Sequence, residues 1–412
     1  MRFKRVLANG LLCASLFSAG PAMAAEELKI GTLFPLSGPM ALLGNEAFQA
    51  AQVAREMINE QGGVLGKQVV FATADAPSPT AANAEATRLI IREKVPLIAG
   101  SYASSIALAA SEVSEREGVL YWETVAVADK ITERNYKNIV RLTFNASMMG
   151  STAAKFASEL AGDLKKDPKD FRVAIISEDS EFGQSVGDAA AAEVKRLGMN
   201  LVANEHYSRT VTDLSSLVLT LKSKRPNAII ATSYLNDGIL FWRQARELDL
   251  NVDAMIGIGT GYALPDFVKA MGATANGIFD VDAPSSLNVS ALPEGTQKLY
   301  HEFFKRFKEK TQREPGPLAI ISFGGFWTLF TKVIPDAGSM DPKALRASAA
   351  KLDLPEGSLL TGAGVKLDET GQNTRALISV MQWQDQKLEV VWPKAIAPKS
   401  PIMVPLPAWD KR

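Results

Sequence analysis

Leu28-Lys-Ile-Gly-Thr-Leu-Phe34 begins the stretch whose reading decides the fold. Its aliphatic and aromatic residues read as a buried strand. Asn45 to Glu60 follows as a helix, because Phe48, Ala51, Val53, Ala54, Met57 and Ile58 fall at helical spacing. Gln61-Gly62-Gly63 stops it, since glycine accepts the left-handed backbone with which helices end. Gln68 to Thr73 is a second strand. Two strands joined through a helix pair in parallel, because the crossover returns the chain to its starting direction.

Moving outward, the alternation continues. Ala81 to Arg92 reads as a helix, Val95 to Ala99 as a strand, Ile106 to Glu117 as a helix and Val119 to Trp122 as a strand. The pattern restarts at the strand Arg172-Val-Ala-Ile-Ile-Ser177. A helix from Gly183 to Leu197 follows, then strands Asn200 to His206, Ala228 to Thr232 and Ala254 to Ile258, with helices Leu214 to Ser223 and Gly238 to Glu247 between them. Helices Pro293 to Lys310 and Leu318 to Val333 come next, then an antiparallel pair within Ala376 to Val391 that turns at Gln384-Asp385-Gln386. Residues 393–408 hold five prolines and read as an irregular tail. The fold class is therefore α/β, with two doubly wound lobes. No low-complexity linker separates them, so a hinge of several crossings is expected. The expected division is 25–143 with 281–355 for the N-terminal lobe, and 144–280 with 356–412 for the C-terminal lobe and tail.

The N-terminus reads differently. Arg2, Lys4 and Arg5 precede an apolar run from Val6 to Phe17, and Ala22-Met23-Ala24 is a small-residue cleavage pattern. This is the plan of a secretory signal peptide, residues 1–24, cut after Ala24. The run is too short for a stable membrane span, and no later run approaches ~18 uncharged apolar residues. Cys13 is not a lipid anchor, because Gly10-Leu-Leu12 lacks both the leucine three positions before it and a small residue just before it.

The whole chain has 412 residues, 45 Lys+Arg and 45 Asp+Glu, and is 47% hydrophobic. That composition excludes disorder, and it lacks the basic excess of a nucleic-acid partner. Removing residues 1–24 takes away three cations and the only cysteine. The mature chain then has 42 bases against 45 acids, a net charge of −3, and no thiol to oxidise outside the cytoplasm. The sequence lacks the usual catalytic signatures. His206 and His301 stand far apart, and there is neither a G-x-S-x-G elbow nor a G-x-x-x-x-G-K-[ST] loop. Gly257-Ile-Gly-Thr-Gly261 lacks the third glycine of a dinucleotide loop and reads as a flexible strand-end turn. No cofactor, metal or catalytic residue is expected.

Open α/β sheets bind ligands where strands end and helices begin. Gly100-Ser-Tyr-Ala-Ser-Ser105 is such a place. Ser104 or Ser105 can cap the following helix, and free N–H groups beside two hydroxyls suit a carboxylate. Glu123-Thr-Val-Ala-Val-Ala-Asp129, Glu178-Asp-Ser-Glu-Phe-Gly183 and Ser233-Tyr-Leu-Asn-Asp237 also follow strands. The first of these offers main-chain donors and mixed side chains, and the other two present the aromatics Phe182 and Tyr234.

With these residues in view, the chain resembles the type I periplasmic binding proteins for hydrophobic amino acids, the leucine/isoleucine/valine-binding branch and its amide- and aromatic-acid-binding relatives. Ile30-Gly-Thr-Leu-Phe-Pro-Leu-Ser-Gly-Pro39, Asn59-Glu-Gln-Gly-Gly-Val-Leu-Gly-Lys67, Gly100 to Ser105, Asp179-Ser-Glu-Phe-Gly-Gln184 and Arg243-Gln-Ala245 carry the likeness, across roughly 28–390. The resemblance implies a clamshell that closes on a small molecule in the periplasm and presents it, as a monomer, to an ABC permease and its ATPase. It implies Ser104 and its neighbour Ser105 as the carboxylate site, with main-chain help at Val125 and Val127. Position 127 is often a threonine in the family, so valine removes one contact. Phe182 stands where the family has a tyrosine, and Tyr234 keeps a second one. Leu43 and Tyr262 would touch the ligand's apolar body.

One departure matters. Family members that bind amino acids carry an acid near 257–262 for the ligand's ammonium, and here the run is Gly-Ile-Gly-Thr-Gly-Tyr. Either Glu123 or Asp237 substitutes, or the ligand is a hydrophobic or aromatic carboxylate without an amino group. A periplasmic sensor for amides or aromatic acids feeding a receptor or regulator, and an exported α/β enzyme, are the competing functions.

Overall fold

In the computed structural model, which describes residues 26–412, two largely parallel sheets carry the fold. The segment read as a signal, its cleavage site and Cys13 lie outside the described residues. The first sheet holds β1 (Glu27–Phe34), β2 (Gln68–Asp75), β3 (Leu97–Gly100), β4 (Leu120–Glu123) and β5 (Ile139–Arg141), all parallel, in the order β2-β1-β3-β4-β5. The second holds β6 (Arg172–Glu178), β7 (Asn200–Tyr207), β8 (Ala228–Thr232), β9 (Ala254–Ile258) and β10 (Phe279–Asp282) in the order β7-β6-β8-β9-β10. The two orders are the same pattern repeated. A small ribbon, β11 (Asp353–Leu354) and β12 (Val365–Lys366), precedes β13 (Ser379–Gln384) and β14 (Lys387–Trp392). That last pair extends the second sheet antiparallel to β10. Its turn places Asp385 and Gln386 both at positive φ, the backbone a two-residue hairpin requires.

Around the first sheet lie α1 (Ala41–Glu60), α2 (Pro79–Thr87), α3 (Ser104–Glu117) and the short α4 (Lys130–Glu133). The second is flanked by α5 (Ala146–Asp163), α6 (Glu181–Arg196), α7 (Ser215–Lys224), α8 (Leu235–Glu247), α9 (Thr260–Ala263) and α10 (Pro265–Met271). The chain then returns to the first lobe with α11 (Glu294–Thr311), α12 (Pro317–Thr328), α13 (Ile334–Ala337) and α14 (Pro342–Ala349).

Burial on both faces explains why the strands are apolar almost throughout. Leu28, Ile30 and Phe34 of β1 enter one core with α1, α11 and α12, while Leu33 enters the core beneath α2 and α3. In β6, Ile175 and Ile176 likewise enter the cores on opposite sides of the second sheet. The segment Pro317–Ala337 corrects one expectation. It is a continuous helical run of 21 residues with hydropathy 1.4, long and apolar enough to cross a membrane, yet 78% of its apolar window is buried inside the protein. It packs on α1 in the first core, and a helix surrounded by protein needs no polar face.

Three crossings join the lobes. Leu142 belongs to the first core and Phe144 to the second, so the first crossing is at Thr143. The second lies between Ala283 and Leu292, later than the expected 280/281 boundary, because β10 runs to Asp282 within the second sheet. The third falls later than the expected 355/356 boundary. Leu360 and Val365 still pack in the first core, and Ile378 is the next residue in the second. The first and third crossings are tied together. Arg141 Nε donates to Gln372 Oε1, Gln372 Nε2 donates to the Thr143 carbonyl at 2.8 Å, and Asn373 Nδ2 donates to the Leu142 carbonyl at 2.8 Å.

The return of α11 and α12 to the first lobe depends on aromatic packing. Phe303 is fully buried, with its ring 4.2 Å from that of Phe323. Phe303→Ala is expected to destabilise the protein by about 3–5 kcal/mol. Urea unfolding should show this as a lower midpoint with an unchanged slope.

Candidate ligand cleft between the lobes

The loops after β3, β4, β6, β8 and β9 face the gap between the sheets. A cavity lies there between the two lobes. Tyr102 and Ser104, after β3, and Val125 and Val127, after β4, form its first-lobe wall. Phe182, after β6, and Ser233 and Tyr234, after β8, form the second-lobe wall with Gly259, Thr260 and Gly261, after β9, and Asp282, which ends β10. Phe144, Met149 and Ile321 close the side near the crossings. Both switch points, between β1 and β3 and between β6 and β8, open onto this gap.

The lobes are closed on one another. Tyr102 meets Tyr234 edge-on at 6.2 Å, and Phe182 lies 5.6 Å from Tyr234 on its other side. Arg209 lies over the Tyr234 ring at 5.6 Å. Asp129 N donates to Ser185 Oγ at 3.2 Å, and Lys130 reaches Glu181 at 3.1 Å, both across the gap.

Ser104 opens α3, and Ala103, with no side chain to donate or accept, occupies the cap position. The expectation that Ser104 or Ser105 caps the helix is therefore corrected. Ser104 Oγ instead accepts the Ala128 N–H at 3.1 Å, which leaves its own proton free to donate into the cavity. The first N–H groups of a helix have no acceptor within it, so Ser104 and Ser105 add two more donors at this wall.

A match to the family model described as periplasmic binding protein spans residues 27–387. The chain belongs to the periplasmic binding protein family. This periplasmic binding protein is 36% identical over 394 residues to the Leu/Ile/Val-binding protein homolog 7 of Brucella abortus, covering 94% of this chain and 96% of that one. Solved structures share the fold. One is LivJ, the branched-chain amino acid transporter substrate binding protein of Streptococcus pneumoniae, in complex with isoleucine. It has a TM-score of 0.75 and 23% identity, covering 89% of this chain and 100% of LivJ. Another is an ABC transporter solute binding protein of Rhodopseudomonas palustris with 3,4-dihydroxy benzoic acid. Its TM-score is 0.72 at 22% identity, covering 88% of this chain and 95% of that one.

Within this binding protein, five of the eight residues singled out in the sequence line the cavity: Ser104, Val125, Val127, Phe182 and Tyr234. Three do not. Ser105 is one helical step round from Ser104 and contributes no side chain to the lining. Leu43 lines a separate recess at the cleft mouth, with Met40, Arg209 and Asp237. Tyr262 is buried behind the wall, where its hydroxyl donates to Ser233 Oγ at 2.7 Å. Ser233 in turn meets Tyr207, which donates to Asp237 at 2.8 Å. Gly257 is glycine because a Cβ would stand 2.6 Å from the Tyr262 ring, and Gly259 (φ +110°) because one would stand 2.9 Å from Phe182. The glycine run is thus close packing under the cavity floor, not a flexible turn.

Neither sequence candidate for the ammonium partner faces the cavity. Glu123 is fully buried and accepts from Ser101 N at 2.9 Å, Val125 N at 2.8 Å and Ala126 N at 2.7 Å. Burial lifts its carboxyl to about 7 against the pull of these donors. Glu178 repeats the device at the end of β6, accepting from Ser180 N and Gly183 N, both at 2.8 Å. Asp237 accepts from Tyr207 and, at 3.3 Å, from Tyr234 N, and burial raises it to about 6. Asp282, Thr260, Ser233 and Tyr102 were missed. The signal for Asp282 was Phe279-Asp-Val-Asp282, two acids on one face of an otherwise apolar strand.

Glu123→Ala should leave three buried N–H groups without acceptors. About 1–3 kcal/mol of lost stability is expected for each group that finds no water. Amide exchange at Val125 and Ala126 should rise well above that of β4, which hydrogen–deuterium exchange would read directly.

Proposed function

We propose that this protein captures a small hydrophobic amino acid or related carboxylate between its lobes for an ABC uptake transporter. The observation that carries the reading is the cavity between the closed lobes. Donors with no side-chain duty stand on its first-lobe wall, and aromatic and aliphatic residues cover the rest. Such a site binds an anionic head and an apolar body, and a ligand touching both lobes favours the closed form. Ser104 with the N–H groups around it would hold the carboxylate. Val125, Val127, Phe182 and Tyr234 would contact the body.

The family and the signal-like residues 1–24, ending at Ala24, support a periplasmic location. A permease and its ATPase would be the partners of the loaded, monomeric protein. In lobe terms, 25–143 with about 284–375 would move against 144–283 with the remainder. Binding is without turnover, so ligand released on unfolding should have unchanged mass.

The test begins with unfolding and refolding, to strip any retained ligand. Leucine, phenylalanine, 4-methyl-2-oxopentanoate and benzoate are then screened by thermal shift, since a ligand of the folded state raises its melting temperature. At least one should do so. Ser104→Ala should weaken that ligand by roughly 10–100-fold, the worth of a hydrogen bond to a charged group. No shift from any compound, or unchanged affinity in Ser104→Ala, would sink the assignment.

A further inference from the structure

Asp282 brings a charge into the cavity that the described residues do not balance. Its carboxylate accepts from Thr260 Oγ1 at 2.7 Å and from Ala283 N at 2.6 Å, and it is 2% exposed. Neither donor is a cation. Among the described residues, no lysine, arginine or histidine lines the cavity. Two neutral donors offset part of the cost of burying a carboxylate, but they leave its charge unpaired. Burial accordingly lifts the group to about 6.

The opposite wall has the reverse character. It offers the Ser104 hydroxyl and the first N–H groups of α3, and no acid lines it. A second acid stands behind the first. Asp280 lies two residues back on the same face of β10, fully buried, with both carboxylate oxygens lacking a hydrogen-bond partner. Burial and the nearby Asp282 hold it well above the ordinary carboxylate range. The cavity therefore has hydrogen-bond donors at one end and a carboxylate at the other.

We propose that Asp282 is the ammonium-binding residue of this cleft, so that the ligand class is a zwitterion, an α-amino acid with an apolar side chain. This rests on the cleft being the ligand site, as proposed above, and adds the charge that selects within it. It also resolves the acid-free run Gly257 to Tyr262. In the sheet, β9 and β10 are parallel neighbours, with Gly257 beside Asp280 and Ile258 beside Val281. The next residue out on β10 is Asp282, which therefore stands beside the loop after β9. Thr260, from that loop, hydrogen-bonds to it across the strands. A dicarboxylate would set a second anion against Asp282, and a keto acid would leave Asp282 buried without a cation.

The experiment is calorimetric titration of the refolded protein with matched pairs: leucine, valine and phenylalanine, each against its 2-oxo acid. In the wild type, an amino acid should bind about 100-fold or more tighter than its oxo acid, as expected when a buried charged partner is removed. Asp282→Asn should lose most of the amino-acid affinity while keeping or improving that of the oxo acid. The wild-type ratio needs no variant, so misfolding of Asp282→Asn cannot shield the proposal. Equal wild-type affinities within a pair, or amino-acid binding unchanged in Asp282→Asn, would overturn it. If the oxo acid alone binds, and loses affinity in Ser104→Ala, the role of Asp282 falls while the cleft reading stands. Binding of none of the six would overturn both.

Discussion

A carboxylate taken out of water must be met by hydrogen-bond donors or by a cation, and the cleft is organised around that demand. Glu123 at the end of β4 meets it with backbone N–H groups from two loops. In doing so it gathers the loop after β4 against the loop after β3, the two segments that shape the first-lobe wall. Glu178 does the same at the end of β6, drawing in the start of α6 and with it Phe182. Each is a strand-end acid that fixes the loop following its own strand. The device recurs at both walls but on strands that are not counterparts, since β6 stands where β1 does in the shared order and β4 where β9 does. Asp282 shares the position but not the completeness of these partners, and that difference separates a structural carboxylate from one still open to a ligand.

The architecture was largely legible because its signals are local. A strand buried on both faces is an apolar run, and a helix on a sheet has apolar residues at helical spacing. Ala228–Thr232 and Ala254–Ile258 were read to the residue, and most other ends within a few positions. The lobe boundaries were harder. Nothing in Gly357 to Arg375 marks it as packing on the first core, since that packing is built from scattered residues such as Leu360 and Val365.

The site was half legible for a related reason. Loops after strands could be found, but not which side chains turn inward. Ser104 and Ser105 are adjacent in sequence and about 100° apart round a helix, so only one lines the cavity. Tyr262 looked like a wall residue and proved to be support for the wall, its hydroxyl spent on Ser233. Asp282 is not legible along the chain as a partner of the loop after β9, because only the sheet puts the end of the next strand beside it.

The tie between the first and third crossings has a mechanical consequence. Three strands of backbone bridging two bodies resist relative twist and sliding far more than bending, much as several cords across a joint do. Arg141, Gln372 and Asn373 stitch two of those cords into one band. Opening and shutting is then the soft coordinate left to the lobes, and other excursions are stiff. A cleft so guided returns its two walls to the same register each time. The donors on one side and the carboxylate on the other can thus act as a gauge of ligand length as well as of charge.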